Sequence, residues 1–128
     1  MTYYIHKLLA VAFDEAVART VAALKAEGFG ILTDIDVKET LNKKIGVEFP
    51  NYRILGACNP ALAFEALQLE SKVGTMLPCN VVVRDAGNDQ TEVAAIDPVA
   101  SMEAIDNPEL KNAAAHVRDK LERVIATL

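Results

Sequence analysis

Residues 79–96, CNVVVRDAGNDQTEVAAI, decide the fold. Two runs of β-formers, Cys79 to Arg84 and Thr91 to Ile96, flank Asp85-Ala86-Gly87-Asn88-Asp89-Gln90. Gly, Asn and Asp are the residues that tolerate the tight backbone of a reversal, so the stretch predicts a β-hairpin. A hairpin forces antiparallel pairing, and the valines at 81, 82 and 83 require cover over at least one face of the resulting sheet.

The cover follows in the chain. After Asp97 the sequence reads as helical to its end, with Leu110, Ala113, Val117, Leu121, Val124 and Leu128 marking the apolar stripe of a long final helix. About twenty residues of helix span about 30 Å, and such a stripe needs a broad apolar surface beneath it.

Upstream, strands and helices alternate. Residues 3–11 are rich in β-formers and predict a first strand, with Ile5, Leu9 and Val11 on one parity and Tyr4, His6 and Leu8 on the other. From Phe13 the period changes: Phe13, Ala16, Val17, Val21 and Leu24 share a helical face, Asp14 and Glu15 sit in the first turn, and Gly28 supplies a stop. Gly30 to Val37 alternates again, placing Ile31, Thr33, Ile35 and Val37 opposite Leu32, Asp34 and Asp36. Val37, Leu41 and Ile45 then predict a short helix closed by Gly46, and Tyr52 to Cys58 a third strand. Asn59-Pro60 pairs a capping side chain with proline at the first helical position and opens a helix through Leu69; Asp97-Pro98 and Asn107-Pro108 repeat the device.

The fold class that follows is α+β: a single antiparallel sheet with helices on one face and a long C-terminal helix packed across it. No repeat or linker divides residues 1–128, a length that suits one domain with one core.

Composition narrows the function classes. The net charge of −5 comes with no concentrated basic patch, which argues against a nucleic-acid partner. No run approaches the roughly 18 apolar residues of a bilayer span, and the first sixteen residues lack a small-residue cleavage site before their first acids. The expectation is a cytoplasmic protein without a membrane partner. Its two cysteines, Cys58 and Cys79, are too few for a disulfide framework and are expected to be free thiols.

Cys58 ends one predicted strand and Cys79 begins another, each followed by asparagine. Antiparallel neighbours would bring the two Cys-Asn pairs to one rim of the sheet, where two thiols and two amides suit a soft metal or dithiol exchange. The plainer reading makes each cysteine a small buried hydrophobe and Asn59 a helix cap. Their spacing matches neither a Cys-x-x-Cys redox site nor a zinc ribbon. His6 is a candidate third ligand or general base, or simply a strand residue with a hydrogen-bond partner; His116 falls beside the buried stripe and is expected at the surface. Asp34 and Asp36 share a strand face and could hold a hard cation, or be solvated residues at a strand end. No Walker loop, dinucleotide fingerprint or nucleophile elbow is present.

Gly28-Phe29-Gly30, Asp34-Ile35-Asp36-Val37, Tyr52-Arg53-Ile54-Leu55-Gly56-Ala57-Cys58-Asn59-Pro60, Leu77-Pro78-Cys79-Asn80-Val81-Val82-Val83 and Ile96-Asp97-Pro98 together resemble the prokaryotic family catalogued as domain of unknown function 302. The resemblance covers nearly the whole chain. It implies a fold similar to the TATA-binding-protein-like α+β group and, by analogy, a homodimer. It implies no reaction, substrate or cofactor, and fold analogy does not carry DNA binding onto an acidic surface.

The leading expectation is a small-ligand-binding domain, non-enzymatic or weakly enzymatic, with a pocket between sheet and C-terminal helix and a polar rim of Asp36, Cys58, Asn59, Cys79 and Asn80. The alternatives are a thiol-based redox or metal-handling protein using Cys58 and Cys79, with His6 as a possible partner, and a dimerisation module without a ligand. The sequence specifies no cofactor or metal.

Overall fold

The computed structural model describes residues 2–128. Its strands are β1 (Tyr4–Leu9), β2 (Gly30–Asp36), β3 (Tyr52–Cys58), β4 (Cys79–Gly87) and β5 (Gln90–Ile96). Its helices are α1 (Phe13–Ala26), α2 (Val37–Ile45), α3 (Pro60–Leu69), α4 (Pro98–Ser101) and α5 (Pro108–Ala126), with a 3-10 turn at Val73–Met76. The strands form one sheet in the order β1-β5-β4-β3-β2, every neighbour antiparallel.

The central hairpin sets the two faces. Val81 and Val83 of β4, with Val93 and Ala95 of β5, are fully buried on the helical side. Leu24 and Ala16 of α1 and Leu121 and Val124 of α5 pack against them. Asn80, Val82 and Arg84 take the other parity and stand on the open face. The reversal is tighter than the six-residue connection expected. Asn88 and Asp89 hold φ of 54° and 60°, the positive values of a two-residue type I′ turn, and a bulge at Asp85/Gly87 precedes them.

Three helix starts follow the acceptor-then-proline device. Asn59 accepts from the Leu62 N–H, Asp97 from those of Val99 and Ala100, and Asn107 from that of Leu110. The helical run expected after Asp97 is interrupted for this reason. α4 stops at Ser101, and Asn107 is held extended before Pro108, where α5 begins anew. α5 buries Leu110, Ala113, Leu121 and Val124 as its stripe predicts, and Ala114 and Ile125 in addition. Its C-terminus is tied to the edge strand by Lys7, whose Nζ donates to the Leu128 carbonyl at 2.8 Å, a cation placed at the negative end of the helix.

The alternation expected along β2 fails at one residue. Ile31 faces Ala57 and Thr33 faces Gly56, so Leu32 is an extra residue bulged out of the ladder. Ile31 therefore shares the helical side with Asp34, while Thr33 and Ile35 turn to the open face. Gly56 is required there: a Cβ on it would collide with the Thr33 hydroxyl and come within 2.7 Å of Pro78 Cγ.

The core is in two parts. The larger lies under α1 and α5 over the sheet centre; the smaller gathers Ala66, Val73, Met102, Leu110 and Ala114 around α3, the 3-10 turn and α4.

Candidate functional site

A cavity of about 340 Å³ occupies the seam between these two cores. Ala57, Cys79 and Phe29 of the larger core form one wall; Ala66, Met102, Leu110 and Ala114 of the smaller form the other. The hollow has a cause in the sequence. Where close packing would need bulk, the lining supplies Ala57, Ala63, Ala66, Gly74, Ala113 and Ala114. Leu32, 66% exposed because the β2 bulge turns it out of the ladder, also lines it. Nothing in the alternating pattern marks Leu32 beforehand, except that Ile31-Leu32 puts two large apolar residues side by side where alternation allows one.

The polar groups in the lining are few. Cys58 and Cys79 both line the cavity, as does Asn59. The register explains why both residues come to one end of the sheet: Cys79 pairs with Ala57, the neighbour of Cys58. Both are free. Burial first, and then the nearby Cys58, push the Cys79 thiol up to about 11 from 9.0, so at neutral pH it stays protonated and behaves as a hydrophobe. Asn59 spends its Oδ1 on the α3 cap, 3.3 Å from the Leu62 nitrogen. Its Nδ2 has no hydrogen-bond partner among the described residues and lies beside Gly28, 3.1 Å from where a Cβ would stand. No Asp, Glu, Lys, Arg or His lines the cavity.

Two residues expected at this rim lie elsewhere. Asn80 follows Cys79 on a strand, so it points to the opposite face of the sheet and is exposed there. Asp36 pairs with Arg53, five residues along β3 from Cys58, about 17 Å at strand rise. It accepts from the Glu39 N–H at 3.0 Å as the cap of α2. Asp34, on the same strand face, pairs with Arg53, whose Nε donates to it at 2.7 Å; that hydrogen bond holds the Asp34 carboxyl below its ordinary range. His6 does not approach the thiols. It stands on the open face with Nδ1 2.7 Å from Glu92 Oε2. His116 is exposed on α5, as expected. Among the described residues no group of three or more His, Cys, Asp or Glu is placed to hold a metal ion, and no helix is long and apolar enough to cross a membrane.

The fold and its seam define a class: α+β proteins with one antiparallel sheet, a helical layer on one side and an apolar hollow at one end of that layer. Residues 5–128 match the family described as Domain of unknown function DUF302, and the chain belongs to that family. A solved structure, the uncharacterized conserved protein DUF302 from Bacillus stearothermophilus, is similar over 98% of each chain, with a TM-score of 0.91 and 30% identity. No curated protein matches the chain.

Proposed function

We propose that the protein binds a small, mainly hydrocarbon molecule carrying one hydrogen-bond acceptor, held in the cavity between the sheet end and α5. One observation carries this reading: a hollow of about 340 Å³ with an almost wholly apolar lining, at the seam between the two core clusters. Ligand sites begin at about this size, and far smaller apolar cavities of about 150 Å³ already take up benzene. Asn59, the one amide side chain in the lining, would supply the polar contact. A charged group would enter without a counter-ion in the lining, at a desolvation cost of several kcal/mol, so the buried part of the ligand is neutral.

A thiol redox or metal role is less well supported. A thiol pushed up to about 11 is a poor nucleophile and a poor metal ligand at neutral pH.

The test is a titration with 1-octanol, a neutral chain with one polar end, followed by methyl NMR. Saturable shifts confined to Leu62, Leu67, Met102, Leu110 and Val117, all in the cavity lining, are the expected result. Diffuse shifts that never saturate would overturn the reading.

A further inference from the structure

The open face of the sheet carries a second arrangement, unconnected with the cavity. The chain has three tyrosines, Tyr3, Tyr4 and Tyr52, and no tryptophan. All three tyrosines line one shallow trough of about 440 Å³ on that face. The register shows how it forms. Val82 of β4 and Ala94 of β5 are Cα partners and give a low floor. Tyr52, opposite Arg84 on β3, stands on one side, and Tyr4, opposite Ile96 on β1, on the other. The two positions are three strand spacings apart across the sheet, about 14 Å, and four residues apart along it, about 13 Å, so the tyrosines stand at diagonally opposite corners of the floor. A flat molecule can lie on the small floor residues between them.

One end of the trough is charged. Glu92 takes Arg84 Nε on Oε1 and His6 Nδ1 on Oε2, both at 2.7 Å. The hydrogen bond from His6, reinforced by Arg84 and opposed by burial, holds the Glu92 carboxyl below its ordinary range. It is therefore ionised at neutral pH and accepts only, which fixes the hydrogen of His6 on Nδ1. Arg84 is oriented through Nε, and its two Nη groups have no partner among the described residues. A guanidinium so oriented presents the parallel donors that a planar carboxylate accepts in bidentate fashion. Glu92 already balances the arginine charge and no lysine lines the trough, so the arrangement suits a singly charged anion and not a phosphate ester.

We infer that the open face binds a planar aromatic carboxylate, its ring on the Val82–Ala94 floor between Tyr4 and Tyr52 and its carboxylate on the Nη groups of Arg84. Glu92 and His6 are positioning residues: the first holds the arginine in place and the second holds the first.

The tyrosines report on this trough and on no other cavity wall described above. The test uses protein labelled with 3-fluorotyrosine, followed by 19F NMR during titration with 2-naphthoate and, separately, 2-naphthamide. The Tyr4 and Tyr52 signals shift saturably with the carboxylate, at least tenfold more weakly with the neutral amide, and without competition from 1-octanol. Arg84→Gln weakens the carboxylate at least tenfold at an unchanged unfolding midpoint, and Arg84→Lys, which keeps the charge but not the fork, falls between. Equal binding of acid and amide, unchanged binding by Arg84→Gln, or no saturable shift at millimolar 2-naphthoate would overturn the proposal. So would tyrosine signals that move with protein concentration alone, because the face would then be covered by a second copy of the chain.

Discussion

Ala113 lies on α5 with its side chain 4% exposed, and it lines the cavity. In a filled core, replacing it by leucine would overpack the site and cost about 1–3 kcal/mol. Here the three added carbons enter an apolar hollow of about 340 Å³ and displace nothing but solvent or a ligand. Each buried carbon contributes about 0.8 kcal/mol, so full burial would give about 2.4 kcal/mol. The cavity is open at its mouth and the new side chain loses rotamer freedom, which leaves about 1–2 kcal/mol of net stabilisation. For a domain of this size that raises Tm by about 4–8 °C. The assay is urea unfolding of ligand-free Ala113→Leu and wild type at equal concentration, with thermal unfolding as a second readout. A midpoint that rises without a change in m is the expected outcome. A fall of 1 kcal/mol or more would mean that the seam is already filled, and the argument from its small lining residues would be wrong.

Other positions give further expectations. Asp97 is buried, caps α4 through the Val99 and Ala100 N–H groups and accepts from Arg118 Nε at 3.1 Å; Asp97→Ala is expected to cost about 2–3 kcal/mol in urea unfolding, and a loss below 0.5 kcal/mol would remove that role. Gly56→Ala forces Thr33 and Pro78 apart and is expected to cost about 1–3 kcal/mol; an unchanged midpoint would show that the β2–β3 ladder yields freely. Because the Cys79 thiol is pushed up to about 11 from 9.0, its thiolate at pH 8 is depleted about a hundredfold. Its alkylation by iodoacetamide in the folded protein is expected to climb only as pH approaches that value, as mass spectrometry of the modified peptide would show; labelling at pH 8 as fast as in unfolded protein would contradict the burial.

The parts of the fold that local chemistry writes were legible. Asn59-Pro60, Asp97-Pro98 and Asn107-Pro108 each place an acceptor before a proline, and each opens a helix. The valines of β4 required cover and have it. The β2 bulge was not legible, because it is a property of the register between β2 and β3, which the alternation within one strand does not contain. The cavity was hidden for a related reason: periodicity tells which side of an element is buried, while a hollow depends on how the volumes of several elements add.

For the candidate rim, the placing of Cys58 and Cys79 at one end of the sheet follows from the antiparallel pairing of β3 with β4. Asn80 was misplaced although the rule was at hand, since adjacent strand residues face opposite ways. Asp36 was misplaced because it lies at the far end of β3 from Cys58, a distance only the register fixes. The Glu92 cluster went unseen because Glu92, Arg84 and His6 come from three strands and carry no motif.

The central claim is that the seam is a site for an apolar ligand, and thermal unfolding in 1-octanol tests it most directly. A ligand that binds only the folded state stabilises by mass action, about 2.7 kcal/mol at a hundred times its Kd, whereas an alcohol acting as a solvent weakens hydrophobic burial. A Tm that rises with 1-octanol for wild type and does not rise for Ala113→Leu is the predicted result; a Tm that falls for both, or rises equally for both, would contradict it.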